Sequence, residues 1–479
     1  MRQSRRVRLH GADRSGSEVR RPRSCQRGFE GRWGRAFKRP RSNRDSFSEV
    51  TSVTPRRTGN LDVESDESTG NSDEGQAEMT KASPVRLVQV DLDLDPMDVD
   101  WSMETGQKLW IELLKHGQVV GVVERSSEGR GLHAESIKSL AEEFASAGAV
   151  SPLRVEDDTL PRASIVVPTI YRRVELLERT VKSLLELDYP DFEIVVVDNR
   201  AGVGHSPIRL PTSDERVKIV AEPIPGISAA RNRGVAESTG EFIAFTDDDA
   251  EVDQGWLRSL GGVFTGSPSV DMIGGMVRPA ELDTEPQVWF EEYYGGFTKW
   301  FQPLQWSIEL VGDSDPLFPY RAGKFGAGCN IAVRRSALQR IKGFDIRLGT
   351  GTPTKGAEDL RAFVEILLTG GVVAFEPSAL VRHSHRSTDR EFFKQVFDFG
   401  TGLTAMYTGM IVDDPRHLLR IARRVPMGLR IVFFSPDRRS PGLRTTYPRR
   451  TILFQLLGMV YGPVAFLRSM ARTRTLLRR

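Results

Sequence analysis

Glu241-Phe-Ile-Ala-Phe-Thr-Asp-Asp-Asp249 is an apolar run that ends in three adjacent carboxylates. Consecutive apolar residues without polar alternation read as a buried strand of a parallel sheet. Three neighbouring acids repel one another and cost stability unless a cation neutralises them. The carboxyl end of such a strand is also where open α/β sheets bind ligands. Hard carboxylate oxygens suit Mg2+ or Mn2+, ions that bridge carboxylates to substrate phosphates. The Asp-x-Asp spacing is unspecific by itself, because Asp91-Leu-Asp93 and Asp98-Val-Asp100 repeat it. Context separates them: only the 247–249 cluster caps an apolar strand in a strand–helix series. The competing reading is an acidic surface turn.

That series starts upstream. Ser164 to Pro168 is a short buried strand, Val174 to Leu187 a helix with Leu176, Leu177, Val181, Leu184 and Leu185 on one face, and Glu193 to Asp198 a strand ending in an acid. Val217 to Val220 gives another strand and Ile227 to Glu237 a short helix. Strands alternating with helices predict an α/β domain over 160–390. Before it, Val88, Val90, Leu92 and Leu94 alternate with Asp91, Asp93 and Asp95, and Leu109 to Leu114 and Val119 to Val123 read as further strands. With a helix from about His133 to Ala147, these form a small β-rich module over 84–150.

The ends differ from the middle. The chain has 479 residues and a net charge of +3, but residues 1–60 are rich in Arg, and from Arg416 to Arg479 Asp437 is the only acid. Residues 1–80 are polar and aperiodic, a composition that predicts disorder. Met79 precedes the first patterned sequence, so it is the expected start of translation; a basic arm is the rival reading of the preceding stretch. Residues 391–479 read as a basic helical extension. Thr451 to Leu467 is uncharged but interrupted by Gly458, Gly462 and Pro463, so no confident membrane span is read there. The alternating Arg-rich and apolar segments suit an anionic membrane surface or a helical extension packed on the preceding domain. The two cysteines, Cys25 and Cys329, make no disulfide framework, and no secretory signal opens the chain. Reducing cytoplasm is the expected compartment, with a peripheral position on the inner face of the membrane as an extension of that reading. The basic ends lack aromatic interleaving and a recognisable module, so nucleic acid is not an expected partner.

Several residues carry a chemical reading beside a structural one. Asp198 at a strand end can bind a base or ribose, or form an Asp-Asn turn. Arg231 can grip a phosphate or carbonyl through its planar fork, or sit on a solvated helix face. Glu358 and Asp359 open a helix; they complement its dipole, or one is a general base. His383 and His385, at alternate positions of an extended segment, are expected to point to opposite sides, so that one reaches a metal. Cys329, between Gly328 and Asn330, reads as a small buried side chain.

In their order along the chain, Val167-Pro168-Thr169, Val197-Asp198-Asn199, Ala229-Ala-Arg231-Asn232, Asp247-Asp248-Asp249, Gly328-Cys329-Asn330, Gly343-Phe344-Asp345, Glu358-Asp359 and His383 resemble a family 2 glycosyltransferase of the GT-A fold. The resemblance spans about Ser164 to Arg386. It is to bacterial, non-processive members with a small N-terminal β module, since no Gln-x-x-Arg-Trp follows His385. It implies a Rossmann-like mixed sheet with flanking helices. Pro168, Thr169, Asp198, Arg231, Asp247 and Asp248 would line the nucleotide-sugar pocket. Asp247, Asp249 and His383 would hold Mn2+ or Mg2+, His383 being preferred to His385. Asp359 would be the catalytic base and Glu358 its neighbour on the acceptor side. The family's Thr-Tyr-Asn-Arg is Thr169-Ile-Tyr171-Arg172 here, which puts contacts of that loop in question.

The implied reaction moves a sugar from a UDP- or GDP-type donor to a hydroxyl of a glycan or lipid-linked acceptor, with inversion, in cell-envelope or polysaccharide biosynthesis. The alternatives are a nucleotidyltransferase, although no P-loop is present, and a non-catalytic binder of sugar nucleotides or glycans.

Overall fold

Strand β4 (Ala163–Thr169) is buried at every position, as its run Ala-Ser-Ile-Val-Val-Pro-Thr requires of a strand covered on both faces. In the computed structural model it lies near the centre of a mixed sheet. The structure describes residues 85–93, 108–126, 155–200, 206–294, 296–298, 300–312, 314–434, 448 and 450–478. The expected disordered segment 1–80 and helix 133–147 lie outside these residues.

Three strands precede β4. β1 (Val85–Asp91), β2 (Lys108–Lys115) and β3 (Gln118–Ser126) form a separate sheet. β1 runs parallel to β2, and β2 and β3 are a hairpin. After β4 come α1 (Val174–Leu185), β5 (Phe192–Asp198), β6 (Val217–Ala221), α2 (Ile227–Glu237), β7 (Phe242–Phe245), β8 (Ala250–Val252), α3 (Trp256–Gly266), β9 (Val270–Pro279), α4 (Glu285–Tyr294), β10 (Leu304–Trp306) and α5 (Ile308–Val311). Then follow β11 (Ile331–Arg334), α6 (Arg335–Ile341), α7 (Glu358–Leu368), β12 (Val372–His383) and four terminal helices: α8 (Asp389–Asp413), α9 (Arg416–Ala422), α10 (Val425–Phe434) and α11 (Arg450–Leu476).

The large sheet has the order β10-β12-β9-β11-β7-β4-β5-β6, with β8 paired to β12. Strands β6, β5, β4 and β7 are parallel. β11 enters antiparallel between β7 and β9, which makes the sheet mixed, as the GT-A resemblance implies. The sequence after β7 returns as β8, antiparallel to the end of β12, in a register that sets His383 opposite Ala250 and Arg382 opposite Glu251. A twelve-residue strand with a bulge between Glu376 and Leu380 therefore delivers an imidazole to the acidic end of β7.

The small sheet docks on the large one through a buried ion pair. Glu112 of β2 is 1 % exposed; its Oε1 accepts from Arg278 Nε at 2.9 Å and its Oε2 from Arg382 at 2.7 Å. Arg278 also lies 3.7 Å from Glu291. Removing one partner of a buried ionic network leaves the other uncompensated. Glu112→Gln, which keeps the shape and removes the charge, is expected to lower unfolding free energy by roughly 1.5–3 kcal/mol, the worth of a hydrogen bond to a charged group. A urea titration of the full chain checks it, and an unchanged midpoint would show that the clamp contributes nothing.

Helices α8 and α11 pack closely. A side chain at Gly458 would collide with the Phe397 carbonyl, and one at Gly462 with Thr404 and the Thr401 carbonyl. Glycine at both positions lets the two backbones meet, and Thr404 Oγ1 donates to the Met459 carbonyl at 2.7 Å. The glycines and Pro463 that interrupt the apolar run in the sequence thus lie within a continuous helix. Among the described residues it is the one helix long and apolar enough to cross a membrane.

Candidate active site

The parallel strands β5, β4 and β7 end side by side, with Thr169 next to Asp198 in the register and Asp247-Asp248-Asp249 just beyond β7. Thr169 Oγ1 donates to Asp248 at 2.6 Å. Asp248 is half-buried; desolvation, reinforced by Asp249 and Asp247, pushes its carboxyl up to about 6 against the hydrogen bond from Thr169. Burial also raises Asp247, with Asp249 and Asp359 adding repulsion and Arg231 and His383 opposing it. Asp249 behaves differently. Burial disfavours its charge, but His383, Arg173 and Arg386 outweigh that and hold it below the usual carboxylate range. Its Oδ1 lies 3.3 Å from His383 Nε2, and its other oxygen is paired with Arg173. Asp249 in turn raises the His383 imidazole against the effect of its burial.

Arg231 occupies the centre. It projects from α2, whose buried face consists of Ser228, Ala229, Ala230, Arg231 and Gly234, and is 1 % exposed. Nη1 donates to Glu358 at 2.7 Å, while Nη2 donates to the Gly328 carbonyl at 2.9 Å and lies 3.5 Å from Asp247. The residue is not on a solvated face. It joins the acidic corner to the start of α7.

Glu358 and Asp359 have separate roles there. Glu358 is buried against Arg231. Asp359 is half-buried, and its carboxylate accepts the Gly328 amide and the Leu360 amide, each at 2.8 Å. A side chain at 328 would press on Arg231 and Asp359, which explains the glycine. Desolvation and Asp359 together lift Glu358 up to about 7, against the attraction of Arg231. The ordinary value is 4.5. Between that value and about 7 the folded chain keeps a proton that the unfolded chain has lost. The stabilisation is full below pH 4.5 and is lost as pH rises through 7. Unfolding free energy is expected to fall by on the order of 1–3 kcal/mol across that window, and Glu358→Gln should flatten this part of the profile in denaturant titrations.

Other expected residues have companions that sequence reasoning missed. Asp198 accepts from Arg200 at 2.6 Å and 2.9 Å. Pro168 lies in β4 beside Val197. In the loop after β4, Tyr171 has φ +53°, a left-handed conformation in which Asn is favoured, at the position where the resemblance implies Asn. His383 and His385 do not point to opposite sides. Residues two apart in an extended segment share a face, so the expectation of opposite sides was mistaken, and the rings lie 5.6 Å apart with separate partners. His385 pairs with Glu291 at 2.8 Å, and His383 with Asp249. Asn199, Asn232 and Asn330 are scaffold: each side chain bonds backbone groups of a neighbouring segment. Cys329 is buried, and burial with the nearby Asp247 and Asp249 raises its thiol well above the usual range, which speaks against a nucleophile. Arg173, Arg386 and Glu291 carried no sequence signal, because their partners are fixed by tertiary contact.

The donor set can hold a hard dication. Asp247 and His383 have ligand atoms within 4.8 Å of each other, Asp249 Oδ1 lies 3.3 Å from His383 Nε2, and His383 Nδ1 has no hydrogen-bond partner. Such mixed oxygen and imidazole sets suit Mn2+ better than Mg2+.

Comparison with known proteins follows the same residues. The family described as Glycosyl transferase family 2 matches residues 164–342. A pre-mycofactocin glycosyltransferase of Mycobacterium tuberculosis is 26 % identical over 238 residues, covering 50 % of this chain and 46 % of the relative. The succinoglycan biosynthesis protein ExoM of Rhizobium meliloti is 29 % identical over 218 residues, covering 44 % and 63 %. The chain thus spans about half the length of the mycobacterial relative. A mannosyltransferase from Pyrobaculum calidifontis, solved with GDP-Man and Mn2+, aligns at TM-score 0.39 and 17 % identity, covering 68 % of this chain and 95 % of that one. The family match begins on β4 and runs through α6, so residues 164–342 carry a glycosyl transferase family 2 domain.

Proposed function

We propose that the protein transfers a sugar from a nucleoside diphosphate sugar to an acceptor hydroxyl, with inversion at the anomeric carbon. The observation that carries this reading is the buried Arg231, which contacts Asp247 on one side and Glu358, the neighbour of Asp359, on the other and so ties the acidic corner to the start of α7. Asp247, Asp249 and His383 are the residues that would hold a divalent ion, Mn2+ or Mg2+. When bound, the ion supplies neutralisation of the charge that develops on the departing diphosphate. Arg173 and Arg386 already place positive charge beside Asp249 and can meet the same phosphates. Pro168, Thr169, Asp198 and Asp248 line the nucleotide side.

Asp359 is the base. Its half-buried carboxylate is held by two backbone amides and takes the proton of the attacking hydroxyl. The acceptor oxygen bonds to the anomeric carbon as the bond to the diphosphate breaks on the opposite face. One displacement with one base inverts the centre, by the opposed geometry that inverting glycosidases share. Glu358, occupied by Arg231, positions the loop and does not touch the acceptor.

The test is a panel of UDP- and GDP-sugars incubated with the full chain, with and without Mn2+ and with EDTA. Metal-dependent release of nucleoside diphosphate is expected. Release of pyrophosphate would favour a nucleotidyltransferase, and binding without release a non-catalytic role.

A lipid-linked acceptor in glycan biosynthesis fits the terminal helices. On α11, Leu453, Leu457, Val460, Val464 and Leu467 form one exposed stripe, with Val460 78 % exposed. Leu418 and Leu419 of α9 are also exposed, and no acid other than Asp437 lies beyond residue 415. An apolar stripe with basic flanks and almost no acid is complementary to an anionic lipid surface. The full chain is expected to pellet with vesicles containing phosphatidylglycerol and not with neutral ones, less so at high salt. Leu457→Glu with Val460→Glu should weaken pelleting at least ~10-fold, two lost apolar anchors being worth over 1.4 kcal/mol. No pelleting with anionic vesicles would reject the membrane reading.

A further inference from the structure

We propose that Asp247, Cys329 and His383 form a site for a thiophilic dication such as Zn2+, overlapping the hard-metal position and excluding Mn2+ when occupied. The carboxylate, thiol and imidazole ligand atoms all lie within 4.8 Å of one another. Four-coordinate Zn2+ with bonds of ~2.0–2.3 Å places neighbouring ligand atoms about 3.3–3.8 Å apart, so modest side-chain rotation closes the set. Oxygen, nitrogen and sulfur together are the donor types zinc takes, whereas sulfur is a poor ligand for Mg2+ or Mn2+.

Three features make this more than a buried cysteine. His383 is 7 % exposed and has an unpartnered Nδ1. The loop that carries the thiol is fixed on both sides: Gly328 by Arg231 and Asp359, and Asn330 by the Trp256 indole and the carbonyls of Met276 and Ala379. Phe297 packs against the cluster that contains Cys329, and its ring lies 5.5 Å from that of His383, so one apolar side chain covers both ligand positions. On binding, the thiol proton passes to solvent and the thiolate sulfur bonds to the metal. The inference rests on the assignment of this corner to a divalent ion, but the two are separable by experiment.

The experiment uses the full chain carrying Cys25→Ser, so that one thiol remains. Titration with Co2+, a spectroscopic stand-in for Zn2+, is expected to give a sulfur-to-cobalt charge-transfer band that Zn2+ abolishes. Adding Cys329→Ser should remove the band and lower the ratio of Zn2+ to Mn2+ affinity by at least ~10-fold, the smallest loss seen when even an outer partner of a ligand is removed. Cys329→Ala serves the same purpose should the serine variant fold poorly. No charge-transfer band, or an affinity ratio equal in parent and variant, overturns the proposal. A band without Mn2+-dependent activity leaves this site standing and removes the hard-metal reading, whereas Mn2+-dependent activity without a band does the reverse.

Discussion

Asp359→Asn is expected to lower sugar transfer by at least ~100-fold, the usual size of the loss of a general base, while nucleotide binding stays within a few-fold of the parent. The carboxylate faces two amide donors, Gly328 and Leu360. A carboxamide can accept from one of them with its oxygen and must turn its NH2 toward the other. That mismatch costs about 1–3 kcal/mol for a buried donor left unpaired, so denaturant midpoints should be recorded beside the kinetics. Loss of transfer in a folded variant that still binds UDP or GDP assigns the base. Near-full transfer would exclude Asp359, whatever the stability.

Arg231→Leu is expected to destabilise the chain by roughly 3–5 kcal/mol, the cost of breaking a buried ion pair by removing one partner. The guanidinium meets Glu358, the Gly328 carbonyl and Asp247, and packs near the rings of Phe245 and Phe344. Without it, Glu358 faces Asp359 and Asp247 alone. Its carboxyl, already raised to about 7, would take up a proton, which places the loss toward the lower end of the range. Arg231→Lys should not restore stability, since one ammonium cannot span two carboxylates and a carbonyl in the geometry of a planar fork. Urea unfolding of the three proteins at pH 7 checks this, and a leucine variant as stable as the parent would refute the central place given to Arg231.

Local pattern revealed much of this architecture. The run before Asp247, the strand ending at Asp198 and the helix 227–237 were legible because apolar periodicity and strand-end acids are short-range signals. Arg231 was ambiguous because the buried face of its helix is made of Ser, Ala and Gly and shows no apolar stripe. Glu112 was illegible for another reason. Its partners lie 166 and 270 positions along the chain, and nothing local marks an isolated Glu in an apolar strand as a clamp. The closeness of Cys329 to His383 depends on the way β12, β9 and β11 come together, and two residues 54 positions apart carry no spacing rule. Gly458, Gly462 and Pro463 misled in the opposite direction: in sequence they read as interruptions of an apolar run, whereas the two glycines are contact points of a helix pair.

The terminal helices also reach the chemistry from behind. Ser469 donates to the Arg347 carbonyl at 2.6 Å and Arg472 to the Gly351 carbonyl at 2.8 Å. Gly402 of α8 leaves room for the backbone of Gly356 and the Ala357 methyl just ahead of Asp359. Asp359 therefore stands on a ledge braced by α8 and by Ser469 and Arg472, more than a hundred positions downstream. If Asp359 is the base, a bulky side chain at Gly402 is expected to lower turnover as well as stability, because it would press on Gly356 and Ala357.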